Sequence, residues 1–349
     1  MTGRGKSRTK ARTGTNGRVR VDMGFESLTF SKGLAILAAA ALAAPPAAAA
    51  PIGKETAGKA AGARREAPAP VAQPEPRPAL WLLADEDTRI YMLGTIHVLP
   101  PGFRWRSAAV DKAVGESAEL VVETYEPPGT GPRADSGLEA AAGFFAAKPV
   151  PILKRVPKNR RAPLRAAIKA SGLPLPMLDR MHSWAAAMTL GIAQMLGEYG
   201  VDDPSEAPGV EDVLEAQFRD AGKPISSVED GDAVFASLSS LPEKVQTQLL
   251  LEAIEPLPAD QPAEPGMVGE LDWVAGNDEA MSLEGESGFP PALFDVLVRR
   301  RNAAWTQWLE TRLKTPGTLL FAVGAGHLAG RESVQAMLAR RGLRVKRVD

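Results

Sequence analysis

Two segments near opposite ends of the chain follow the same order of elements, and this repetition constrains the fold most. In the first, an apolar stretch over 89–94 predicts a strand that runs into Gly94-Thr-Ile-His97. A helix is then predicted over 106–117, followed by a buried strand over 120–125. The unit therefore consists of a strand, a G-x-x-H motif, a helix and a second strand.

The second segment repeats this order at the carboxyl end. A strand over 318–323 runs into Gly324-Ala-Gly326-His327, a helix follows over 332–341, and alternating residues over 343–348 predict a closing strand. Strand–helix–strand units favour a sheet covered by helices. The sequence thus predicts an α/β fold, with a mixed sheet made of two related strand–G-x-x-H–helix–strand halves.

The residues between the two segments predict a mostly helical middle. Pro, Gly and acidic residues at 127–137 and 255–269 predict surface loops, and the segment 79–84 predicts a strand that forms a hairpin with 89–94. Because the matched segments bracket this middle, one composite domain over 79–349 is expected. The predicted helices of the middle lie over 161–170, 179–198, 209–221, 242–254 and 291–313.

Residues 1–50 predict a signal peptide. An apolar, Ala-rich run over 33–44 follows Lys32 and precedes several Ala-x-Ala sites, and it is short for a membrane span. The basic stretch ahead of it is long, and a start at Met23 would give a leader of usual proportions. We expect a cleaved leader and a periplasmic or secreted protein, the alternative being an uncleaved N-terminal membrane anchor.

Charge and composition limit the classes of binding partner that we expect. Residues 51–78, rich in Pro and Ala, predict a disordered linker. The first fifty residues carry a net charge of +6 in a chain of −1, which leaves about −7 for the remainder. An acidic body without a nucleic-acid-reading motif predicts no nucleic-acid partner, and membrane contact is expected only through the leader. The chain has no cysteine, which excludes disulfides and thiolate chemistry.

The chain has three histidines, and two of them occupy matched positions. His97 and His327 each follow an apolar strand and a glycine three residues earlier, and ligand sites in α/β sheets form at the carboxyl ends of strands. An imidazole there can exchange a proton near neutral pH or bind a divalent metal. We predict a functional site at this pair. His182, at the start of an apolar helix, is predicted to be a packing residue.

A carboxylate is expected beside the paired histidines. Glu123 ends the apolar run Leu120-Val-Val, which places it at the end of a strand. A carboxylate in that position can orient a histidine, ligate a metal or act as a base. Glu126 is the alternative, although its position before Pro127 favours a surface loop.

At this point the motifs resemble those of the TraB/GumN family, in the family's order and over about residues 79–349. The motifs that carry the resemblance are Gly94-Thr-Ile-His97, Val-Val-Glu123, Pro208-Gly209-Val-Glu211, Lys223-Pro224 with Val228-Glu229, Arg301-Asn302 with Trp305, and Gly324-Ala-Gly326-His327. The resemblance implies a fold akin to the erythromycin-esterase and ChaN-like proteins. It also implies kinship with the Tiki proteins, which are metal-dependent proteases.

The resemblance further implies an active site of His97, Glu123, Arg301 and His327. The metal ligands would be the two histidines and Glu123, with manganese or cobalt as the expected ion and zinc as another. Gly94, Gly324, Gly326, Asn302 and Glu229 would support the site. Glu211 stands where the family commonly has Asp, and because its carboxylate is displaced by the extra methylene, no role is assigned to it.

Arg301 follows two other arginines in the long predicted helix. Successive helical residues point in different directions, so Arg299 and Arg300 are predicted to be solvated. An arginine at 301 could clamp a carboxylate or stabilise an oxyanion. Glu229, at the end of a short predicted strand over 224–228, would help to orient the site.

Three functions follow from these motifs. The first is a divalent-metal-dependent, peptidase-like hydrolase acting on a peptide or small molecule, in which the metal activates water. The second is a metal-independent esterase or amidase in which one histidine is the general base. The third is a periplasmic protein that binds or sequesters a signal without catalysis.

Overall fold

The structure, a computed structural model, describes residues 73–125, 127, 143–201, 203–254, 268–284 and 289–349. The predicted leader, the linker up to residue 72, Glu126 and most of the two predicted loops lie outside these ranges. The described end of the linker contacts the body, because the Arg77 N–H donates to the Val274 carbonyl over 2.7 Å. No helix among the described residues is long and apolar enough to cross a membrane.

The fold is α/β, with one six-stranded mixed sheet in the order β4-β3-β5-β2-β1-β6. The strands β4, β3, β5 and β2 are parallel, whereas β1 is antiparallel to both of its neighbours, β2 and β6. This arrangement confirms the predicted α/β class and mixed sheet. The strands are β1 Leu80–Ala84, β2 Thr88–Thr95, β3 Glu119–Val122, β4 Ile225–Ser227, β5 Gly317–Gly324 and β6 Val345–Arg347.

Helices cover both faces of the sheet. On one face, α1 (Ala108–Glu116) and α6 (Val210–Asp220) pack on the inward residues of β2, β3 and β5. On the other, α11 (Arg300–Arg312) and α12 (Val334–Arg340) pack through Trp305 and Leu338 on the alternate residues of the same strands. The central strand β5 is covered on both sides, which explains its unbroken apolar run Leu319–Val323.

Each predicted element next to a G-x-x-H motif is present. The hairpin of β1 and β2, the helix α1 and the strands β3 and β5 are confirmed. The strand β3 is shorter than predicted and stops at Val122, so Glu123 lies just beyond it. The helix α1 begins after Ser107, whose hydroxyl accepts the N–H of Val110 as an N-cap.

The helical middle packs into a separate apolar cluster beside the sheet. The prediction of one helix over 179–198 was wrong, because the chain is extended at Met181, where it bridges to Phe145. The range 255–269 is not loop throughout, since α9 begins at Val268. The middle helices are α2 Ile152–Arg155, α3 Arg161–Ser171, α4 Leu175–Arg180, α5 Ser183–Glu198, α7 Gly231–Ser239, α8 Glu243–Glu252 and α9 Val268–Val274.

The long helix predicted over 291–313 contains a π-helical turn. The helix α10 (Pro291–Phe294) continues through a π turn over Asp295–Arg299 into α11. In this turn the Arg300 N–H donates to the Asp295 carbonyl, five residues back. Such turns shift the faces of a helix, and this one lies directly before Arg301.

Candidate active site

Four neighbouring parallel strands bring their carboxyl ends to one edge of the sheet. In the order of the sheet, Glu229 follows β4, Glu123 follows β3, His327 follows β5 and His97 follows β2. The register aligns these ends, because Thr95 pairs with Gly324 and Val122 pairs with Ala322. Residues that are far apart in the chain therefore meet where α/β sheets form their ligand sites.

Arg301 joins these strand ends from the helix α11. Its Nη2 lies 2.5 Å from Glu123 Oε2 and also contacts Glu229 Oε1, while its Nε donates to Glu229 over 3.0 Å. Its Nη1 donates to the Leu297 carbonyl and lies 3.0 Å from His327 Nε2. The guanidinium is buried, so its charge is balanced by carboxylates and not by water.

His327 is held by Asn302 and Arg301. The Asn302 Nδ2 donates to the backbone carbonyls of His327 and Glu332, which fixes its Oδ1 against His327 Nδ1 at 2.6 Å. The ring thus donates from Nδ1, and Nε2 accepts from Arg301. Burial and the positive charge of Arg301 lower the pKa of His327 to about 3, although Glu123 opposes them. His327 is therefore a neutral ring.

His97 has a different partner. Its Nδ1 lies 2.6 Å from Glu211 Oε1, and both side chains are buried. The two atoms are not aligned as a hydrogen bond, so charge and proximity hold the pair together. Burial alone would lower the pKa of His97, but the charges of Glu211 and Glu123 raise it above the ordinary value. His97 is the more basic of the two rings.

The free edge of His97 faces Glu123 across Gly324. His97 Nε2 is buried and has no hydrogen-bond partner among the described residues. A Cβ on Gly324 would lie 3.2 Å from this nitrogen and 3.1 Å from Glu123 Oε1. The glycine thus leaves a small cradle between a basic nitrogen and a carboxylate oxygen, and a side chain at this position would fill it.

The two carboxylates around Arg301 differ in their affinity for a proton. Burial would raise the pKa of Glu123, but Arg301, His327, His97 and the Gly324 N–H, 2.7 Å from Oε1, hold that pKa well below its usual range. Burial and the charge of Glu123 raise the pKa of Glu229, against the effect of Arg301. Glu123 is therefore the ionised carboxylate, and any proton the pair retains goes to Glu229.

The site offers two converging ligands for a metal ion, and the third is already engaged. His97 Nε2 and Glu123 Oε1 converge on the cradle at Gly324, and His327 Nε2 lies 3.8 Å from Glu123 Oε1. That third nitrogen, however, already accepts a hydrogen bond from Arg301. In the described part of the chain, no three His, Asp or Glu side chains form a group that could hold a metal ion. A three-ligand site would require Arg301 to release His327.

Glu211 is the site residue that sequence reasoning missed. Its helix, α6, begins directly against the first motif, because the Val210 N–H donates to the Ile96 carbonyl over 2.9 Å. A Cβ on Gly209 would overlap the His97 carbonyl, so only glycine permits this approach. The signal was the motif Pro208-Gly209-Val-Glu211 itself, and the longer side chain places its carboxylate on His97 and on the Thr95 hydroxyl.

The remaining predicted residues take supporting or distant positions. The Gly94 carbonyl accepts from Trp273 Nε1 over 2.9 Å, and Gly94 packs against Ala325 of the second motif. Gly326 packs against Leu283. His182 lies at the start of α5, away from the site, and burial lowers its pKa. Arg299 and Arg300 are exposed and pair with Asp295, as expected of solvated side chains.

A mostly apolar pocket with room for about one water (about 10 Å³) adjoins the backbone of both motifs. Its lining includes Gly94, Ala325 and Leu328 from the motifs, together with Trp273, Met281 and Asp278. The pocket borders the buried site and provides apolar surface next to it.

The folded part of the chain matches a known family. The TraB/PrgY/gumN family matches residues 79–347, which is most of the chain and includes every site residue described above. The chain belongs to this family. In this chain the two G-x-x-H motifs meet at one edge of the sheet.

Relatives within the family are distant. The chain is 27% identical over 190 residues to the uncharacterized protein YbaP of Escherichia coli (strain K12), and equally to that of Shigella flexneri. The alignment covers 53% of this chain and 67% of each relative. No solved structure matches.

Proposed function

We propose that this family site is a hydrolytic centre for an ester or amide bond, with His97 as the general base. The observation that carries the proposal is the state of His97. Its Nδ1 is paired with Glu211, while its Nε2 is buried, unpartnered among the described residues and directed at the cradle beside Glu123. A histidine oriented by a carboxylate on one nitrogen, with the other nitrogen free, is the arrangement of a general base.

In this mechanism the attacking water occupies the cradle. A water held between His97 Nε2 and Glu123 Oε1, in van der Waals contact with the Gly324 Cα, would donate a hydrogen bond to each of these two atoms. His97 Nε2 accepts one water proton as the oxygen attacks the carbonyl carbon. The other proton is oriented by Glu123, which its low pKa keeps ionised.

Arg301 and His327 complete the centre. The N–H groups of Arg301 are engaged by two carboxylates, His327 and the Leu297 carbonyl, so Arg301 sets the protonation of its neighbours. Its buried positive charge also offsets the negative charge that develops on the carbonyl oxygen. The proton on His97 then passes to the leaving group, which completes the hydrolysis.

A panel of esters, amides and a peptide library tests this function, with turnover followed by mass spectrometry. We expect turnover by the wild-type protein and by His182→Gln, whose histidine lies outside the site, and loss of turnover in His97→Gln. Equal activity of the two variants would overturn the assignment of His97. Tight capture of a peptide without cleavage would instead support a binding or signal-sequestering protein.

A divalent-metal-dependent, peptidase-like hydrolase is the second candidate. It is favoured by the convergence of His97 Nε2 and Glu123 Oε1, with His327 Nε2 3.8 Å from that oxygen. Manganese or cobalt would be the expected ion, with zinc also possible. Metal analysis of protein purified without chelators tests it. If bound metal is the same in the wild type, His97→Ala and His327→Ala, metal ligation by this pair is wrong.

Location and fold kinship complete the proposal. We propose that the protein is exported to the periplasm or beyond, on the strength of the apolar run and cleavage sites within residues 1–50. Kinship with the erythromycin-esterase and ChaN-like folds remains a prediction. N-terminal sequencing of the exported protein tests the leader, and an intact N-terminus would favour a membrane anchor.

A further inference from the structure

The helical middle carries a concentration of positive charge that the catalytic proposal does not use. Residues 143–181 contain nine Lys and Arg and a single acid, Asp179. Their net charge is therefore +8, although residues 51–349 as a whole carry about −7. The charge of the molecule is thus unevenly distributed, and this segment is strongly basic within an acidic body.

Four of these cations form a row on the outside of the α3 region. Arg161, Arg165 and Lys169 follow one another at intervals of four residues, which places them along one side of α3, and Lys158 begins the 3-10 turn directly before this helix. Leu164 and Ile168 anchor α3 in the apolar cluster of the helical middle. Arg165 and Lys169 are exposed, as is Lys158, whereas Arg161 lies at the edge of the buried side and is half-buried.

None of the four cations is neutralised within the described part of the chain. None forms an ion pair with another described residue, in contrast to Arg299, Arg300, Arg340 and Arg341, which do. Arg161 is half-buried, and its Nε has no hydrogen-bond partner among the described residues. The row thus presents uncompensated charge to solvent.

Exposed apolar side chains flank the cations. Val150 is 49% exposed and Leu175 is 39% exposed, and both stand beside exposed prolines. Arg155 ties their segments together, because its Nε donates to the Val150 carbonyl and its Nη2 to the Asp179 carbonyl at the end of α4. The two apolar side chains therefore lie on connected segments that flank the basic row in the chain.

We propose that this surface, Lys158, Arg161, Arg165 and Lys169 with Val150 and Leu175, docks the protein on an anionic phospholipid surface. The cations would contact the headgroups, and the two apolar side chains would enter the boundary of the acyl chains. The exposed alanines between the cations allow a flat approach. The segment 148–181 between Phe145 and His182, which carries all nine cations, contains no aromatic side chain to stack on bases, which favours lipid over single-stranded nucleic acid. This inference is independent of the proposed hydrolysis.

Vesicle co-sedimentation of the full chain tests the proposal. Vesicles of phosphatidylcholine, with and without phosphatidylglycerol, are compared for the wild type and for the triple variant Arg161→Gln/Arg165→Gln/Lys169→Gln. The leader is common to both proteins, so the difference reports the basic row. We expect the triple variant to bind phosphatidylglycerol vesicles about a hundredfold more weakly, since each of the three cations near an anionic membrane contributes about a factor of five.

A matched control removes three exposed cations from other elements: Lys244→Gln, Lys314→Gln and Arg344→Gln. We expect this control to bind like the wild type. If it loses as much affinity as the triple variant, net charge and not the basic row drives binding, and the proposal is overturned. Circular dichroism checks that each variant is folded. At a single site, Arg165→Gln removes the charge and should weaken vesicle binding, whereas Arg165→Lys keeps the charge and should not.

The apolar pair distinguishes lipid from other polyanions. We expect Val150→Ser/Leu175→Ser to weaken vesicle binding about tenfold, because the variant no longer buries two apolar side chains in the membrane. Binding to inorganic polyphosphate should be unchanged. If this variant binds vesicles as well as the wild type does, the surface is a general polyanion site and the membrane assignment is wrong.

Discussion

His97 and His327 stand at the ends of neighbouring parallel strands, each at the end of a G-x-x-H motif, yet their rings are held in opposite ways. A carboxylate, Glu211, lies on Nδ1 of His97, whereas an amide, Asn302, lies on Nδ1 of His327. The free nitrogen of His97 faces a cradle, while that of His327 faces Arg301. Two motifs alike in sequence therefore produce one basic and one neutral imidazole.

The difference shows that the neighbours of a motif decide its chemistry. The same strand-end position gives a raised pKa for His97 and a pKa of about 3 for His327. Burial and the charge of Arg301 lower the pKa of His327, whereas the charges of Glu211 and Glu123 raise that of His97. Pairing a base with a neutral ring is useful, because the two histidines then do not compete for protons at the same pH.

The largest expected effect comes from replacing each histidine by glutamine, which tests whether His97 and His327 have different roles. If only His97 is the base, His97→Gln should lower kcat about a thousandfold, as is typical for loss of a general base. His327→Gln should lower kcat only about tenfold, since the His327 ring positions Arg301 through a hydrogen bond and does not exchange a proton. Steady-state kinetics on the best substrate from the panel measures both. Equal large losses would erase the contrast and favour shared metal ligation.

Removing Arg301 should affect both motifs at once. Arg301→Met leaves Glu123 and Glu229 buried without their cation, which is expected to cost about 3–5 kcal/mol of the free energy of unfolding. Arg300→Met, at an exposed neighbour, is the matched control and should cost little. Urea denaturation measures both. A similar small loss in the two variants would contradict the role of Arg301 as the charge that joins the strand ends.

Glu211→Gln makes the first motif resemble the second. Because the charge of Glu211 raises the pKa of His97, the amide should lower that pKa, and the acidic limb of the kcat/KM profile should move to lower pH. We expect the maximal rate to fall about tenfold, with Glu211→Asp retaining part of it. A rate loss without a shift of the pH profile would mean that Glu211 acts through packing alone.

Asn302→Asp makes the converse change and should have the smallest effect on kcat. Because an aspartate cannot donate to the His327 and Glu332 carbonyls, the variant should be less stable at every pH, and its pH dependence is compared with its own stability at neutral pH. The carboxylate should raise the pKa of His327, which NMR titration of the ring can follow. His327 is neutral when folded, with a pKa of about 3 against an ordinary 6.5, so it favours the folded state above pH 6.5, and that stability is lost as the pH falls toward 3. For each unit by which the pKa of His327 rises, acidification should cost the variant about 1.4 kcal/mol less of its free energy of unfolding than it costs the wild type. An unchanged acid denaturation curve would contradict this account.

The sequence was sufficient for elements with strong local patterns. Apolar runs beside glycines predicted β2 and β5, and the matched motifs predicted that His97 and His327 follow strand ends. The adjacency of these strands in the sheet is a long-range pairing with no local signal, and it became visible only in the register of Thr95 with Gly324. The break at Met181 was missed because the chain on both sides has helical spacing, and a bridge to Phe145 overrides it.

The chemistry of the site was less accessible than its location. Which carboxylate meets which histidine depends on how α6 packs, and Glu211 was set aside because its side chain is one methylene longer than the family's usual Asp. The structure shows a spacing that the longer side chain fits. The contact between Arg301 and His327, which bears on metal binding, likewise follows from side-chain packing that no spacing in the sequence records.

The π turn over Asp295–Arg299 makes the site depend on chain length as well as on residue type. Adjacent residues of a helix diverge by about 100°, yet Arg301 and Asn302 both reach the same buried histidine. Arg301 does so while its Nη1 caps the Leu297 carbonyl within the turn. Deleting one residue there would rotate Arg301 away from Glu123 and Glu229, although every side chain of the site would still be present. The turn therefore sets how the helix is aligned with the sheet.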